Sequence, residues 1–403
     1  MIDSLFNQHI ESIQDDIIFM RRHLHQYPEL SNEEYQTSAY IKEKLTQYGV
    51  EWQDGFAKTG VLGIIRGNNP GKTVALRADI DALPIQETND HAFISKHSGI
   101  MHACGHDAHT AMLIGTGYAL QQMKEHIAGT VLLVFQPAEE NSPIGGSKPM
   151  MEDGVFSTYT PDVIYGQHVW PSLSVGEIGI IDKEMMGASD RFCVEISGSG
   201  GHASMPQEGN DAIIIANQVI SALQTIVSRN INPLDAAVVT IGRIEGGYRY
   251  NVIPDKVTVE GTIRTFKPEV KKKVKERFFT IIEQTVAAFN GTASIDYLDG
   301  YPATINTPEW AQQARDTAQR MMSPSSTPYV EPVLAGEDFA RYLEQYQGAF
   351  LWLGTRLENQ EEQRALHDSG FQINETALPI GSAFMAQLAF DTLHTLHHYS
   401  KEE

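Results

Sequence analysis

The sequence is poor in cysteine, in basic residues and in long apolar runs, and each scarcity excludes a class of protein. Two cysteines in 403 residues, Cys104 and Cys193, cannot build a disulfide framework, so we expect a cytoplasmic protein. The 30 Lys and Arg side chains face 51 Asp and Glu, and a net charge of -21 disfavours nucleic acid and anionic membranes as partners. The amino terminus lacks a secretory signal pattern, and about 18 apolar residues nowhere run uninterrupted, so we expect no membrane span.

The first 48 residues predict two helices. The second is expected to open at Ser31, with Glu34 three positions later, which is the spacing of a capping box. These helices are expected to cover a sheet.

Short apolar runs and helical stretches then alternate along the chain. This alternation is typical of an α/β domain with an open, mostly parallel sheet covered by helices. The predicted strands begin near Val61, Thr73, Gly129 and Asp162, and a helix begins near Ala108.

The pattern changes between residues 188 and 302. The predicted order there is β-α-β-β-α-β, which is typical of a small ferredoxin-like domain. We therefore expect residues 1–187 and 303–403 to form one domain, with 188–302 inserted into it.

Three side chains that can bind metal lie within the segment MHACGHDAHTA. Cys104 and His106 are two positions apart, just before a predicted helix, and His109 follows. A thiolate and an imidazole are good ligands for zinc-like ions, although this spacing alone is equally compatible with ordinary loop residues.

Other candidate ligands are scattered along the sequence. Glu139 and Glu140 follow an apolar strand in FQPAEE, His168 lies in YGQHVWP, and His367 lies in ALHDSGFQIN. Each alone would pass for a surface or core residue. However, most of them follow a strand at its carboxyl end, where open α/β sheets place their sites. One of two adjacent carboxylates could bind a cation while the other transfers protons.

Taken together, these motifs resemble the aminoacylase and carboxypeptidase-G type metallopeptidases, in the amidohydrolase branch that includes hippurate hydrolases. The resemblance covers nearly the whole chain, and RRHLHQYPELS, LRADIDALPI, SGSGGHASMPQEGNDAI, NVIPDKVTVEGTIRTF and AGEDFA also belong to it. It implies two divalent ions, zinc or manganese with cobalt possible, ligated by Cys104, His106, Glu140, His168 and His367. It also implies an inserted domain that acts as a lid and forms a homodimer.

The resemblance assigns further roles. Glu139 is expected to be the general base, and an aspartate of RADID to steady the site, with Asp81 favoured over Asp79. His202 is expected to stabilise the oxyanion in a partner subunit's site, while Asn251 and Arg264 are expected to hold the substrate carboxylate. Gly336, Glu337 and Asp338 are expected to support the site indirectly.

The expected activity is hydrolysis of the amide bond of N-acyl-L-amino acids or small peptides. A dipeptidase or aminopeptidase of the same family is an alternative, and so is a catalytically silent binding protein on this fold. The sequence does not identify the acyl group, the amino acid or the metal.

Overall fold

The computed structural model describes residues 2–359, 361 and 363–402. Within them the chain separates into two compact units. The first comprises Met1–Met185, Ile305–Glu331 and Asp338–Glu403, and the second comprises Met186–Thr304 and Pro332–Glu337.

Helices and strands alternate through most of the chain. Up to residue 186 they are α1 (Ile2–Glu11), α2 (Gln14–Gln26), α3 (Tyr35–Gln47), β1 (Glu51–Phe56), β2 (Gly60–Arg66), β3 (Asn69–Asp79), α4 (His106–Gln122), β4 (Ala128–Gln136), α5 (Ser147–Glu152), β5 (Val163–Trp170), β6 (Ile178–Gly179) and β7 (Glu184–Met186). Next come β8 (Ala188–Ser197), β9 (Gly201–His202), α6 (Ala212–Thr225), β10 (Ala237–Gly246), β11 (Val252–Ile253), β12 (Lys256–Thr265), α7 (Pro268–Ala288) and β13 (Thr292–Tyr301). The chain continues with β14 (Thr304–Ile305), α8 (Pro308–Met321), α9 (Ala340–Leu343), β15 (Gln347–Gly354) and α10 (Ala377–Glu402).

The first unit contains a seven-stranded sheet in the order β1-β2-β4-β3-β5-β15-β6. Its four central strands, β4, β3, β5 and β15, are parallel, and the outer pairings are antiparallel. Residues 131–135 of β4 are fully buried, as expected for a central strand covered on both faces. The predicted α/β class with a mostly parallel sheet is confirmed.

The start of the chain differs from the prediction. Three helices rather than two precede residue 48, and the capping box at Ser31 is wrong. Helix α3 has Glu34 at its N-cap and no side-chain capping bond, because Ser31 and Glu34 make their hydrogen bonds elsewhere.

The second unit has its own antiparallel sheet, in the order β10-β12-β8-β13, and its own apolar core. Helices α6 and α7 pack on this sheet, so the order of the main elements is β-α-β-β-α-β. Residues 332–337 belong to this unit, whereas the predicted boundaries assign them to the first. The reason is that Gly187 N–H lies 2.9 Å from the main-chain oxygens of both Val333 and Ala335.

One stretch of this unit, Ala212–Asn230, is long and apolar enough to cross a membrane by length and composition alone. A single such helix is weak evidence, because the core helix of a compact domain passes the same test. Its residues Ala212, Ile215, Val219 and Leu223 are buried in the core of the second unit. That packing accounts for the apolar character of one face of the helix.

Candidate metal centre

The parallel strands of the first unit bring their carboxyl ends to one edge of the sheet. Asp79 at the end of β3 is in register with Gln136 at the end of β4, and Arg77 is in register with Gly166 of β5. The segments after β3 and β4 and the end of β5 therefore meet. This is the edge at which open α/β sheets place their sites.

A tight turn before α4 places Cys104 and His106 at this edge. Gly105 lies between them with a φ of 89°, which favours glycine. A Cβ on Gly105 would lie 2.3 Å from Cγ2 of Val169, so a side chain cannot be accommodated without movement.

The five predicted ligands converge at this edge. Cys104 Sγ lies 3.4 Å from His168 Nε2 and 3.3 Å from His367 Nε2. Glu140 Oε1 lies 3.2 Å from His367 Nε2 and 3.9 Å from His106 Nε2. Positions up to 263 residues apart in the chain thus meet in one cluster.

The cluster contains two groups of three ligands that share one atom. Ligand atoms of Cys104, His106 and His168 lie within 4.8 Å of one another, and so do those of Cys104, Glu140 and His367. A thiolate, three imidazoles and a carboxylate fit divalent ions of the zinc type. These five residues would therefore hold two divalent cations.

Hydrogen bonds orient two of the imidazoles for ligation. Nδ1 of His106 lies 2.9 Å from the main-chain oxygen of Asp81, and Nδ1 of His168 lies 2.7 Å from that of Val169. Each Nδ1–H can donate outward, which leaves Nε2 as the ligand atom. Nε2 of His106 is buried and makes no hydrogen bond to any residue that the structure describes. A buried polar atom without a partner is expected where that atom would bind a metal ion.

The backbone at His367 is also specialised. His367 has a φ of 68°, in the left-handed region that residues other than glycine rarely adopt, and its N–H donates to the main-chain oxygen of Ala103. That bond ties the loop of His367 to the residue before Cys104. Strained backbone held in this way is common at functional sites.

Electrostatics at the site favour a cation. Burial alone would lower the pKa of His106, but Asp79 and Asp81 outweigh it and raise the pKa to about 10. Burial, reinforced by Glu140 and Glu139, raises the pKa of the Cys104 thiol. The negative field that retains these protons would equally stabilise divalent ions in their place.

Glu139 lies next to the ligand Glu140 and is buried. Its carboxylate is within 4.8 Å of ligand atoms of His106 and Glu140, and its Oε1 lies 3.4 Å from the backbone N of Asp338. This position suits a group that transfers protons beside the cations.

Two aspartates support the cluster in different ways. Asp81 accepts from His106 through Oδ1 at 3.1 Å, and its Oδ2 accepts from the backbone N of Glu140 at 3.0 Å. Asp79 contacts His109 and also accepts from Arg77 at 2.7 Å. Asp81 thus contacts His106 and the backbone of Glu140, while Oδ2 of Asp79 also lies 3.6 Å from Nε2 of His106, so both aspartates lie against the ligands.

His109, the third candidate in MHACGHDAHTA, has both ring nitrogens engaged. Its Nε2 accepts from the backbone N of Val169 at 2.9 Å, and its Nδ1 lies 2.5 Å from Oδ1 of Asp79. His109 is therefore a buried scaffold residue rather than a ligand.

Asp338 of the AGEDFA motif, which the sequence predicts to support the site indirectly, lies at the centre of a buried hydrogen-bond network. It accepts from Arg77 at 2.8 Å, from Gln136 at 2.9 and 2.8 Å, and from the backbone N of Gly146 and Ser147 at 2.8 and 2.9 Å. Asp338 thereby links β3 and β4 to the loop that follows Glu139 and Glu140.

The remaining predicted residues lie in the second unit. His202 on β9 pairs with Val252 on β11, and the N–H of Ala203 donates to the main-chain oxygen of Asn251, so His202 and Asn251 are neighbours. Arg264 lies on β12, opposite Ser189. Arg264 is half-buried and forms no hydrogen bond or ion pair within the described residues, and burial lowers its pKa.

Comparison with known proteins places this site in a family. Residues 75–391 match Peptidase family M20/M25/M40. The chain is 44% identical to the N-acetyl-L-cysteine deacetylase of Bacillus subtilis over 94% of its own length and 89% of the relative's. It is 39% identical to the IAA-amino acid hydrolase ILR1-like 5 of Arabidopsis thaliana, over 94% and 87% of the two chains.

Solved structures agree with these relatives. The crystal structure of a dinuclear metal-binding peptidase of the M20 family from Bacillus subtilis superposes with a TM-score of 0.84 at 37% identity, covering 96% of this chain and 99% of that one. The fold, the extent of the match and the converged ligand cluster lead to one conclusion: the chain belongs to peptidase family M20/M25/M40.

Proposed function

We propose that this protein hydrolyses the amide bond of small N-acyl-L-amino acids, releasing a carboxylic acid and a free amino acid. The observation that carries the proposal is the pair of ligand groups that share Cys104 Sγ beside the buried carboxylate of Glu139. The relatives named as deacetylase and amino acid hydrolase support this bond class.

Cys104, His106, Glu140, His168 and His367 would hold the two ions. Because thiolate and imidazole ligands favour zinc, we propose zinc first, with manganese or cobalt as alternatives. When bound, such ions supply Lewis acidity, which lowers the pKa of water to about 7 and polarises the amide carbonyl.

Glu139 acts as the general base in this proposal. Its carboxylate takes a proton from the attacking water and returns it to the leaving amine. Asp81 accepts hydrogen bonds from the ring of His106 and from the backbone of Glu140. These bonds keep the two ligands near Glu139 in position.

In this proposal His202, Asn251 and Arg264 recognise the rest of the substrate, with His202 acting in a partner subunit's site. Nδ1 of His202 accepts from Ser204 N and lies 2.8 Å from Ser204 Oγ, so in the neutral ring the proton lies on Nε2, where it can be donated to an oxyanion. Asn251 and the guanidinium of Arg264 would bind the substrate carboxylate.

We further propose a cytoplasmic homodimer formed through the second unit. Strand β10 lies at the edge of its sheet, and Ile244 on β10, Leu234 before it and Ile213 and Ile214 on α6 are exposed apolar side chains that a second copy could cover. The free thiols of Cys104 and Cys193 fit a reducing compartment. Light scattering of the purified protein tests the dimer, and monomers at micromolar concentration would contradict it.

A substrate panel tests the activity against its alternatives. We expect turnover of hippurate and N-acetyl-amino acids, no turnover of dipeptides with a free amino group, and loss of activity after chelation with recovery on adding zinc or manganese. Preference for unblocked dipeptides would indicate the aminopeptidase alternative. Absence of turnover on the whole panel, with two metals bound per chain, would indicate a silent binding protein.

A further inference from the structure

We infer that Glu34 is a positioning residue for Glu139, which it holds through the backbone of Ala138. The inference rests on the proposed role of Glu139 as the general base. It concerns a side chain that the sequence pattern assigned to helix capping and that the structure places against the loop after β4.

The residue before the base has an unusual backbone conformation. Ala138 has a φ of 57°, in the left-handed region that alanine rarely adopts. Its backbone N–H donates to Oε1 of Glu34 over 2.9 Å. This N–H belongs to the peptide unit between Pro137 and Ala138, so the hydrogen bond holds the backbone in the conformation from which the chain continues to Glu139. It thereby helps to set the direction in which the Glu139 side chain leaves the backbone.

Glu34 is itself held in one orientation. It is fully buried, its Oε1 also accepts from the backbone N of Asn32 at 2.9 Å, and its Oε2 accepts from Thr59 Oγ1 at 2.7 Å. With three donors around one carboxylate, little rotation remains available to the side chain.

The same segment also holds the residue after the base. Ser31 Oγ donates to Oδ2 of Asp81 over 2.6 Å, and that oxygen accepts from the backbone N of Glu140 at 3.0 Å. The segment between α2 and α3 therefore fixes the backbone on both sides of Glu139, directly through Glu34 and indirectly through Ser31. Small misplacements of a catalytic group cost far more in turnover than in substrate binding.

The test compares two conservative substitutions with opposite properties. Glu34→Gln loses the charge but keeps an oxygen for Ala138 N, and its amide can donate to Thr59 Oγ1. Glu34→Asp keeps the charge but is one methylene too short to reach all three donors. We expect Glu34→Asp to lower kcat roughly 10- to 100-fold with little change in KM, and Glu34→Gln to stay within about 3-fold of the parent.

Glu29→Ala is the matched control. Glu29 lies in the same segment and its carboxylate also accepts three hydrogen bonds, but from Gln36 and Thr37 at the start of α3 rather than from the loop that carries Glu139. We expect this variant to unfold at a lower temperature with kcat unchanged, and both Glu34 variants to retain two metals per chain.

Three results would overturn the inference: a kcat for Glu34→Asp equal to that of Glu29→Ala, equal losses in the Asp and Gln variants, or loss of bound metal in parallel with activity. Should Glu34→Asp not fold, Glu34→Gln decides alone, since a loss of kcat beyond about 10-fold in that isosteric variant contradicts positioning by geometry. Near-normal activity of Glu139→Gln would instead refute the proposed base, a result independent of Glu34.

Discussion

Asp81 accepts from Nδ1 of His106 through both its main-chain oxygen and its carboxylate, at 2.9 and 3.1 Å. The ring is thereby fixed with Nε2 facing the ligand cluster, and Asp81 also holds the backbone of the ligand Glu140. Such contacts behind a ligand set both its direction and its basicity.

We therefore predict that Asp81→Asn weakens metal binding by roughly 10- to 100-fold. The measurement is the metal content after dialysis against a graded series of chelator concentrations. Asp162→Asn is the control, because Asp162 accepts from the backbone N of Thr73 at the start of the buried part of β3 and has no contact with the cluster. If the two variants release metal at the same chelator concentration, Asp81 does not support the ligands.

Substitutions of the neighbouring residues Glu139 and Glu140 should affect metal content and kcat differently. We predict that Glu139→Gln retains both metals and lowers kcat by about 10²-fold or more, because proton transfer is typically worth about 10²- to 10⁴-fold. Glu140→Gln, the matched variant one position away, should lose metal, because Glu140 shares a ligand group with Cys104 and His367. Metal analysis and kcat on hippurate measure both variants, and metal loss in Glu139→Gln would reverse the two roles.

Cys104 is expected to matter for both ions because its Sγ is common to both ligand groups. We predict that Cys104→Ala lowers the content of both metals, while Cys104→Asp keeps two metals and resists inactivation by peroxide, since a carboxylate cannot follow the thiol oxidation pathway. Cys193→Ser is the control and should remain as sensitive as the parent. Equal peroxide sensitivity of Cys104→Asp and the parent would place the damage elsewhere.

Much of the site could be predicted from sequence, because the pattern of apolar residues predicts the strands. The carboxyl ends of parallel strands then indicate the edge of the sheet at which a site is expected. The sequence predicts the positions of Glu140 and His168 in this way, and the structure brings both to that edge. His367 could be predicted only through the family resemblance, because it lies well beyond the end of β15, in a long segment whose path to Cys104 the sequence pattern does not show.

The failures have a physical cause. Ser31 and Glu34 have the spacing of a capping box, yet their side chains bond to Asp81, Ala138 and Thr59, since partners distant in sequence satisfy them better than the local backbone does. Spacing alone could not separate His109 from the ligand His106, because it does not show which ring nitrogens are already bonded. Local pattern reports secondary structure, whereas hydrogen-bond partners depend on the tertiary fold.

Glu34 should also make stability depend on pH. Burial, with a smaller contribution from Asp81, raises the pKa of Glu34 to about 7, despite the opposing hydrogen bond from Thr59. The unfolded chain releases this proton near the ordinary value of about 4.3, so between about 4.3 and 7 the folded state binds more protons than the unfolded state. The contribution of Glu34 to stability is therefore fully present below that window and is lost as pH rises through it.

Removing the titrating group should remove this dependence. We predict that Glu34→Gln gains up to about 3 kcal/mol of unfolding free energy relative to the parent between pH 4.5 and 7.5, measured by urea denaturation of the chelated proteins. The comparison cancels groups that titrate in both proteins. A difference between the two proteins that stays constant with pH would contradict the raised pKa.

Arg264 offers a guanidinium with no hydrogen bond or ion pair among the described residues, half-buried on β12. An arginine remains protonated even where burial lowers its pKa, so the cation is available to a substrate carboxylate. We predict that Arg264→Met raises KM for hippurate about 10-fold or more and leaves turnover of hippuramide, which lacks the carboxylate, unchanged.

Arg191→Met is the control, because Arg191 lies on the adjacent strand β8, is exposed and pairs with Glu260. Equal losses on hippurate and hippuramide would mean that Arg264 acts on something other than the carboxylate.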